Sequence, residues 1–377
     1  MPKIRILVVD DSVVVRRMVA DALAADPQLE VAGAAANGKI ALAKIPQVNP
    51  DIVILDIEMP ELDGLATLER IRKSQPALPV IMYSTLTQRG AEATLEALAR
   101  GATDYVTKPS NVGSAAQALE CIRTQLIPKI KGICARAVGL EEPLSLGVPR
   151  ISPPPLPPGG ASRVPGRIDI VTIGVSTGGP NALADLLPAL PRDFPVPVVI
   201  VQHMPPVFTR LLAERLSAKS QIEVKEGVPD AVLRPGCAWI APGDYHMVVE
   251  ARRNQVVIRT HQGPPENSCR PAADVLFRSV AEAYRPHALA VVMTGMGQDG
   301  LRGCEHIYEL GGQVLAQDEA SSVVWGMPGF VAKAGLADNI LPLDQLGPEI
   351  TRRARVGRAK VQEYQPTFRA GEAIGQP

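Results

Sequence analysis

The chain has 377 residues, of which 46% are hydrophobic and 21% charged, and its formal net charge is zero. This length predicts two or three globular domains of roughly 100–200 residues each, and the balanced charge argues against a nucleic-acid partner, which usually selects a basic surface. Neither a run of about 18 apolar residues nor a signal-peptide pattern occurs, so we expect no membrane insertion, and the five scattered cysteines favour a cytoplasmic protein with reduced thiols.

Residues 1–126 alternate predicted strands with predicted helices. The first strand, Ile4–Val9, is a continuous apolar run typical of a strand that is buried on both faces. Four further strands are predicted at Glu30–Ala34, Asp51–Leu55, Val80–Tyr83 and Asp104–Val106. Helices separate them, and the last helix is predicted at Ala115–Leu126. Five strands alternating with five helices predict a doubly wound parallel sheet.

Residues 127–166 interrupt this pattern. Five of the six residues from 153 to 158 are proline, which cannot form a helix interior or an inner strand. We therefore predict a stiff, proline-rich linker between two domains. A proline-rich motif that binds a partner is the alternative interpretation of the same composition.

Residues 167–356 return to the α/β pattern and predict a second parallel sheet. The predicted strands are Ile168–Val175, Val196–Val201, Ala288–Thr294 and Gln313–Ala316. The predicted helices are Pro180–Leu187, Thr209–Ala218, Ala273–Tyr284 and Leu301–Leu310. Two stretches, Trp239–Pro242 and Met247–Arg259, are typical of hairpins. The polar residues 357–377 predict a flexible tail.

Chemically active side chains follow the strands of the first unit where each strand ends: Asp10, Asp11, Asp56, Ser84 and Lys108. The carboxyl ends of parallel strands converge on one crevice. Three carboxylates there repel one another, and Mg²⁺ relieves that repulsion and neutralises an incoming phosphoryl group. Lys108 and Ser84 supply a positive charge and a hydroxyl for the phosphoryl oxygens. Asp56 is the natural acceptor, because carboxylates form aspartyl phosphates. Helix capping remains the alternative for Asp10 and Asp11 taken alone.

These residues resemble the receiver domain of two-component response regulators over about residues 3–125. The matching motifs are Val8–Ser12, Asp56–Pro60, Asp63 with Gly64, Ser84, and Lys108 with Pro109. The resemblance implies that a histidine kinase phosphorylates Asp56, and that Ser84, Tyr105 and Lys108 form the phosphoryl switch. It implies a Mg²⁺ site made by Asp10, Asp11, Asp56 and the backbone carbonyl of Glu58.

A second set of residues points to a serine hydrolase. Ser176 lies in a Gly-x-Ser-x-Gly turn between a strand and a helix, which can project the hydroxyl beside a helix amino terminus. His203 and Asp299 each follow another predicted strand, so the three can converge. Taken singly, each residue also fits a common structural role. The turn at Ser176 fits a phosphate-binding or tight turn, His203 fits a structural histidine, and Asp299 fits a helix cap.

Residues 167–345 resemble the protein-glutamate methylesterases of chemotaxis, the CheB family. The matching motifs are Gly174–Pro180, Gln202–Pro205, Ile240–Gly243 with His246, Arg270 with Pro271, Thr294–Gly300, Ala316–Glu319 and Gly326–Pro328. The resemblance implies a Rossmann-like methylesterase domain with Ser176 as nucleophile, His203 as general base and acid, and Asp299 as its orienting partner. Thr177 and the backbone of Met296 are candidates for the oxyanion hole, and no cofactor is expected in this site.

The same resemblance implies the substrates and partners. A phosphorylation-activated enzyme of this family releases methanol from glutamate γ-methyl esters of methyl-accepting chemoreceptors and deamidates selected glutamines. Its phosphodonor is the histidine kinase of a chemotaxis-type pathway, and its unphosphorylated receiver packs over the catalytic cleft.

Two alternative functions remain. A transcription factor would need a helix-turn-helix and a basic face after the linker, and a binding-only scaffold would have lost catalysis.

One motif departs from the family. Where many relatives have His-Arg-Pro-Ser, this chain has Cys269-Arg270-Pro271-Ala272. This segment is expected to border the substrate cleft, so the effect of Cys269 and Ala272 on substrate preference is open. The Cys269 thiol is expected to be inert, because the site needs no second catalytic base.

Overall fold

The computed structural model describes residues 3–108, 115–135, 166–253 and 255–358. No helix within these ranges is long and apolar enough to cross a membrane. The predicted linker prolines at 153–158, and residues 359–377 of the tail predicted at 357–377, lie outside the described residues. The described residues form two α/β units, as the sequence predicts.

The first unit is a five-stranded parallel sheet with the strand order β2-β1-β3-β4-β5. Its strands are β1 (Ile4–Val9), β2 (Leu29–Ala35), β3 (Ile52–Asp56), β4 (Val80–Thr85) and β5 (Asp104–Lys108). Its first helices are α1 (Val13–Ala24), α2 (Gly38–Val48), α3 (Gly64–Ser74) and α4 (Gln88–Ala99). The predicted doubly wound sheet is therefore confirmed.

The last helical stretch of this unit is longer than predicted. Helix α5 (Ala115–Cys121) continues through a π-helical turn at Ile122–Leu126 into α6 (Ile127–Cys134). The predicted linker therefore begins too early, since residues 127–134 are helical. Ile127, Ile130 and Cys134 are buried against the strands of the first sheet, which gives α6 an apolar face to pack. Pro128 is tolerated because it lies in the first turn of α6.

The second unit is a seven-stranded parallel sheet with the order β14-β13-β12-β6-β7-β9-β8. Its strands are β6 (Ile170–Val175), β7 (Val198–Gln202), β8 (Glu223–Glu226), β9 (Cys237–Ile240), β12 (Ala288–Val292), β13 (Gln313–Gln317) and β14 (Asn339–Leu341). Its helices are α7 (Gly179–Leu186), α8 (Phe208–Lys219), α9 (Ala273–Tyr284), α10 (Leu301–Glu309), α11 (Met327–Lys333) and α12 (Leu343–Ala354). Every residue of β6, β7, β12 and β13 is buried, as in sheets covered by helices on both faces.

One of the two hairpin predictions is confirmed. Strands β10 (His246–Arg252) and β11 (Gln255–His261) form an antiparallel pair. Trp239, by contrast, lies in β9, which pairs in parallel with β7 and β8. The hairpin interpretation of Trp239–Pro242 is therefore wrong. All four residues of β9 are buried, and such a short apolar run followed by Pro242 and Gly243 does not distinguish an inner strand from a hairpin.

The two units contact each other through the first unit's α4 and β5 and the second unit's α7 and α8. The ring of Tyr105 stacks on Phe208 with 5.0 Å between centroids and 6° between planes. Arg215 pairs with Glu96 at 3.5 Å, and the Asn181 side chain donates a hydrogen bond of 3.0 Å to the backbone carbonyl of Ala102.

Candidate phosphoryl-acceptor and hydrolytic sites

The carboxyl edge of the first sheet carries the predicted acidic cluster. Asp10 and Asp56 are buried and Asp11 is exposed, and one carboxylate oxygen from each lies within 4.8 Å of the others. The ammonium of Lys108 lies 2.8 Å from an oxygen of Asp10 and 2.8 Å from an oxygen of Asp56. A compact set of carboxylate oxygens beside an open cavity has the donor chemistry that Mg²⁺ selects.

Asp56 lies in a cavity of about 280 Å³ that Asp11, Glu58, Ser84 and Lys108 also line. Burial raises the pKa of Asp56, the hydrogen bond and charge of Lys108 lower it, and Asp10 raises it again, which leaves it at about 6. The carboxylate is thus destabilised but still ionised near neutral pH, as a phosphoryl acceptor must be.

Ser84 and Tyr105 of the predicted switch make their contacts with groups other than the three carboxylates. The Ser84 hydroxyl donates to the backbone carbonyl of Gly90 at 3.1 Å, at the start of α4. Tyr105 is buried against Phe208 of the second unit, and burial together with the charge of Asp104 raises the pKa of its hydroxyl well above its ordinary value. Ser84 is therefore bonded to α4, and Tyr105 is part of the contact between the units.

The predicted nucleophile lies in the turn between β6 and α7. Gly178 has φ +76°, which favours glycine and allows the chain to turn sharply after Ser176. The backbone N–H of Ser176 donates to Thr294 at 3.0 Å, and its carbonyl accepts from the Gln202 side chain at 3.1 Å. A Cβ at position 295 would lie 2.8 Å from the Ser176 Cβ, so the loop after β12 requires Gly295 there.

His203 and Asp299 form the hydrogen bond that the sequence predicts. Nε2 of His203 lies 2.7 Å from a carboxylate oxygen of Asp299, which is only 2% exposed. Asp299 also accepts from the backbone N–H groups of Ala273 and Asp274, at 2.6 and 3.0 Å, in the first turn of α9. Burial raises the pKa of Asp299, but His203 and these two donors lower it by more. The pKa therefore lies below its ordinary value, and the carboxylate stays ionised.

Two residues of this site are absent from the sequence-based prediction. The Asn267 side chain donates to Asp299 at 2.9 Å and to Asp274 at 2.8 Å, and so bridges the two carboxyl groups. Burial and the charge of Asp299 raise the pKa of Asp274 to about 6. An acid in the first turn of α9 looks like an ordinary helix-end residue, and the left-handed backbone at Asn267 has no signature in the sequence.

The second ring nitrogen of His203 faces Cys269 rather than Ser176. Cys269 Sγ lies 3.6 Å from Nδ1, and within the described residues the Ser176 hydroxyl makes no hydrogen bond. Burial lowers the pKa of His203, but negative charge at Cys269 and Asp299 outweighs it and raises that pKa to about 10. The expected inertness of Cys269 therefore needs a direct test.

The candidate oxyanion donors lie on either side of Ser176. Thr177 is buried ahead of α7, and its carbonyl accepts from the Thr294 hydroxyl at 2.9 Å. Met296 follows Gly295 in the loop that touches Ser176. Over the ranges that the structure covers, neither backbone N–H has a hydrogen-bond acceptor. Both are therefore free to bind an oxyanion, although their role stays a prediction.

Two family models match the two α/β units of this chain. The family model described as response regulator receiver domain matches residues 6–120, and the model described as CheB methylesterase matches residues 171–350. A protein-glutamate methylesterase/protein-glutamine glutaminase of Trichodesmium erythraeum is 58% identical over 94% of this chain and 99% of its own. One of Nocardioides sp. is 52% identical over 94% of this chain and 96% of its own.

Two solved structures are similar to parts of this chain. The crystal structure of the Thermotoga maritima CheB methylesterase catalytic domain is 41% identical to the matched part, covering 50% of this chain and 99% of its own, with a TM-score of 0.49. The crystal structure of the response regulator domain of Thermotoga maritima CheB is 40% identical and covers 34% of this chain and 94% of its own, with a TM-score of 0.31.

Proposed function

Because this chain belongs to the CheB family of protein-glutamate methylesterases/protein-glutamine glutaminases, we propose that a Ser176–His203–Asp299 triad carries its hydrolytic chemistry. The enzyme removes methyl groups from glutamate γ-methyl esters of chemoreceptors and deamidates selected glutamines, and its receiver controls this activity. The observation that supports the triad is the 2.7 Å His203–Asp299 contact on the sheet edge that carries Ser176. We place this reaction in the cytoplasm, where its proposed kinase and receptor segments meet it.

The geometry supports a separate role for each residue of the proposed triad. Nε2 of His203 is held by Asp299, so Nδ1 must take the proton when the Ser176 hydroxyl attacks the side-chain carbonyl of the substrate. The N–H groups of Thr177 and Met296 then stabilise the oxyanion. His203 returns the proton to the leaving methanol or ammonia, and water hydrolyses the acyl-enzyme by the reverse route. No step in this sequence calls for a cofactor.

The receiver residues fit phosphoryl transfer to Asp56. Asp10, Asp11, Asp56 and the carbonyl of Glu58 would hold Mg²⁺, which neutralises phosphoryl oxygens when bound. Lys108, already 2.8 Å from Asp56, supplies positive charge for the same oxygens. The Ser84 hydroxyl would leave Gly90 to bond the phosphoryl group. The proposed phosphodonor is the histidine kinase of a chemotaxis-type pathway.

We propose that the signal reaches the esterase through the contact between the units. Tyr105 lies in β5 of the sheet that carries the acidic cluster, and its ring stacks on Phe208, the first residue of α8. In addition, α6 approaches the esterase near its nucleophile: a Cβ at position 132 would lie 3.3 Å from Val324, whose carbonyl accepts from Gly295. Rearrangement at Ser84 and Tyr105 would change these contacts and release the esterase.

The direct test of the triad is methanol release from membranes that contain methylated chemoreceptors. Ser176→Ala should abolish release while the fold is retained. Ser220→Ala is the matched control and should behave as the parent, because this hydroxyl at the end of α8 is buried and has no hydrogen-bond partner among the described residues. Near-normal release by Ser176→Ala would contradict the triad. The esterase match at residues 171–350 also lies where a transcription factor would carry its DNA-binding domain.

A further inference from the structure

We propose that Cys269 is a positioning residue that competes with Ser176 for Nδ1 of His203, and so controls how often the imidazole is free to act as a base. This inference rests on the proposed triad and adds to it a residue in which this chain departs from the His-Arg-Pro-Ser motif of many relatives. It assigns Cys269 a role through His203 alone, with no covalent bond to substrate.

The competition follows from the number of nitrogens on one imidazole. A neutral imidazole has one N–H donor and one acceptor nitrogen. Asp299 takes Nε2 as the donor at 2.7 Å, which leaves Nδ1 as the single acceptor. Cys269 Sγ lies 3.6 Å from that nitrogen, within the range of a thiol hydrogen bond. Ser176 must give its proton to the same nitrogen, so Nδ1 can accept from only one of the two groups at a time.

The loop around Cys269 holds the sulfur in this place. Backbone hydrogen bonds of 3.1 and 2.9 Å join Glu266 and Cys269 to each other. Asn267 ties the loop to Asp299, and the Glu266 carboxylate forms two hydrogen bonds with Arg278, at 2.7 and 2.6 Å. On the other side, Arg270 donates two hydrogen bonds to Asp244, at 3.0 and 2.7 Å. The thiol is therefore held beside His203 from both ends of the loop.

Proton transfer within this pair makes the restraint stronger. If the thiol proton moves to Nδ1, the S–H bond breaks, an N–H bond forms, and a thiolate–imidazolium pair results without any change in oxidation state. An imidazolium cannot accept the Ser176 proton. Among the residues that the structure describes, the titratable groups that face His203 are Cys269 from its loop and Asp299 from the segment after β12, with Asp274 behind Asp299 through Asn267. The Asp299 carboxylate favours the protonated ring, and Cys269 does so only as the thiolate of this transferred-proton pair; the two together raise the pKa of His203 to about 10.

Replacing Cys269 should change the pH at which His203 acts as a base. Replacing Cys269 by alanine removes one of the two neighbours that favour imidazolium, so His203 becomes a free base at lower pH. Cys269→Ala should therefore move the acid limb of the pH profile of kcat/KM downward by about one unit or more and raise the rate at neutral pH about tenfold, with a similar plateau at high pH. Cys269→Ser should shift the limb equally, because serine supplies no thiolate to pair with the imidazolium, yet reach a lower plateau, because its hydroxyl still bonds Nδ1.

The experiment is the pH profile of methanol release by the full-length protein, for the parent and for the Cys269→Ala, Cys269→Ser, Cys121→Ala and Ser176→Ala variants. Cys121 is the matched control, a half-buried thiol in the receiver, and its variant should keep the parent profile. The competition is overturned if Cys269→Ala and Cys269→Ser both keep the parent profile, or if both lose activity at every pH with an unchanged melting temperature. In either case an inactive Ser176→Ala leaves the proposed function intact. Release by Ser176→Ala would instead overturn the proposed triad.

Discussion

At the scale of single residues, the partners of His203 decide what the site can do. Asp299 holds Nε2, and Asp299 is itself held by Asn267 and the first turn of α9. This arrangement fixes the ring and leaves Nδ1 for proton transfer. The same logic applies in the receiver, where Lys108 holds Asp10 and Asp56 together although both are buried acids.

The residues of the triad should behave as one unit. Ser176→Ala and His203→Ala should each lower kcat about 10⁴-fold or more, and the double variant should be little worse than either, because members of such a unit lose their effect together. Asp299→Ala should be milder, since orienting the imidazole contributes less than supplying the nucleophile or base. Single-turnover hydrolysis of methylated receptor measures these rates. Additive losses in the double variant would contradict a shared mechanism.

Asp56→Asn should abolish labelling by a small phosphodonor in the presence of Mg²⁺, and it should also stabilise the receiver. The folded-state pKa of Asp56 is raised from 3.8 to about 6, so the folded receiver loses stability as pH rises through that window. Asparagine removes this penalty. We expect a gain of about 3 kcal/mol above pH 6 that disappears below about pH 4.

Hydrogen exchange of the β3 and β4 amides in the full chain measures this gain. Asp63→Asn is the matched control, because this exposed acid caps α3 and lies outside the acidic cluster. A stability difference between parent and Asp56→Asn that is the same at pH 4 and pH 7 would contradict the burial argument. Labelling of the variant at the parent level would contradict the acceptor assignment.

At the scale of elements, the strand order explains why the sequence predicts so much of the site. Strands β12, β6 and β7 are neighbours, so residues after them meet at one edge. Continuous apolar runs reveal such inner strands. The short edge strands β8 and β14, which are only partly buried, leave no comparable pattern. Nor can a sequence pattern reveal the Asn267 bridge, because it depends on a left-handed loop brought to α9 by tertiary packing.

The contact between α4 and α8 should restrain the resting enzyme. Arg215→Glu opposes Glu96 across this contact and should raise the esterase rate of the unphosphorylated chain about two- to fivefold, since an exposed pair contributes up to about 1 kcal/mol. Combining it with Glu96→Arg should restore the parent rate. Arg210→Glu, on the same helix but paired with Glu214, is the matched control. An unchanged esterase rate in Arg215→Glu would show that this contact does not restrain the resting enzyme.

At the scale of the whole molecule, two sheets with separate chemistry lie in one chain, and the residues between them are rich in proline. Limited proteolysis should cut between residues 135 and 166 and leave two folded fragments. The carboxyl-terminal fragment should hydrolyse receptor methyl esters faster than the unphosphorylated full chain, because Tyr105 and α6 no longer contact the esterase. An equal or lower rate would rule out inhibition by the receiver, while leaving the hydrolytic chemistry untouched.

A phosphoryl group on Asp56 should activate hydrolysis at Ser176. Methanol release from methylated receptor membranes is followed for the full chain with and without a small phosphodonor and Mg²⁺, in the parent, Asp56→Asn and Ser176→Ala proteins. We expect the donor to accelerate the parent about tenfold, a coupling within the usual range between two sites, to leave Asp56→Asn at its basal rate, and to produce no release from Ser176→Ala. Equal parent rates with and without the donor, or acceleration of Asp56→Asn, would contradict the account.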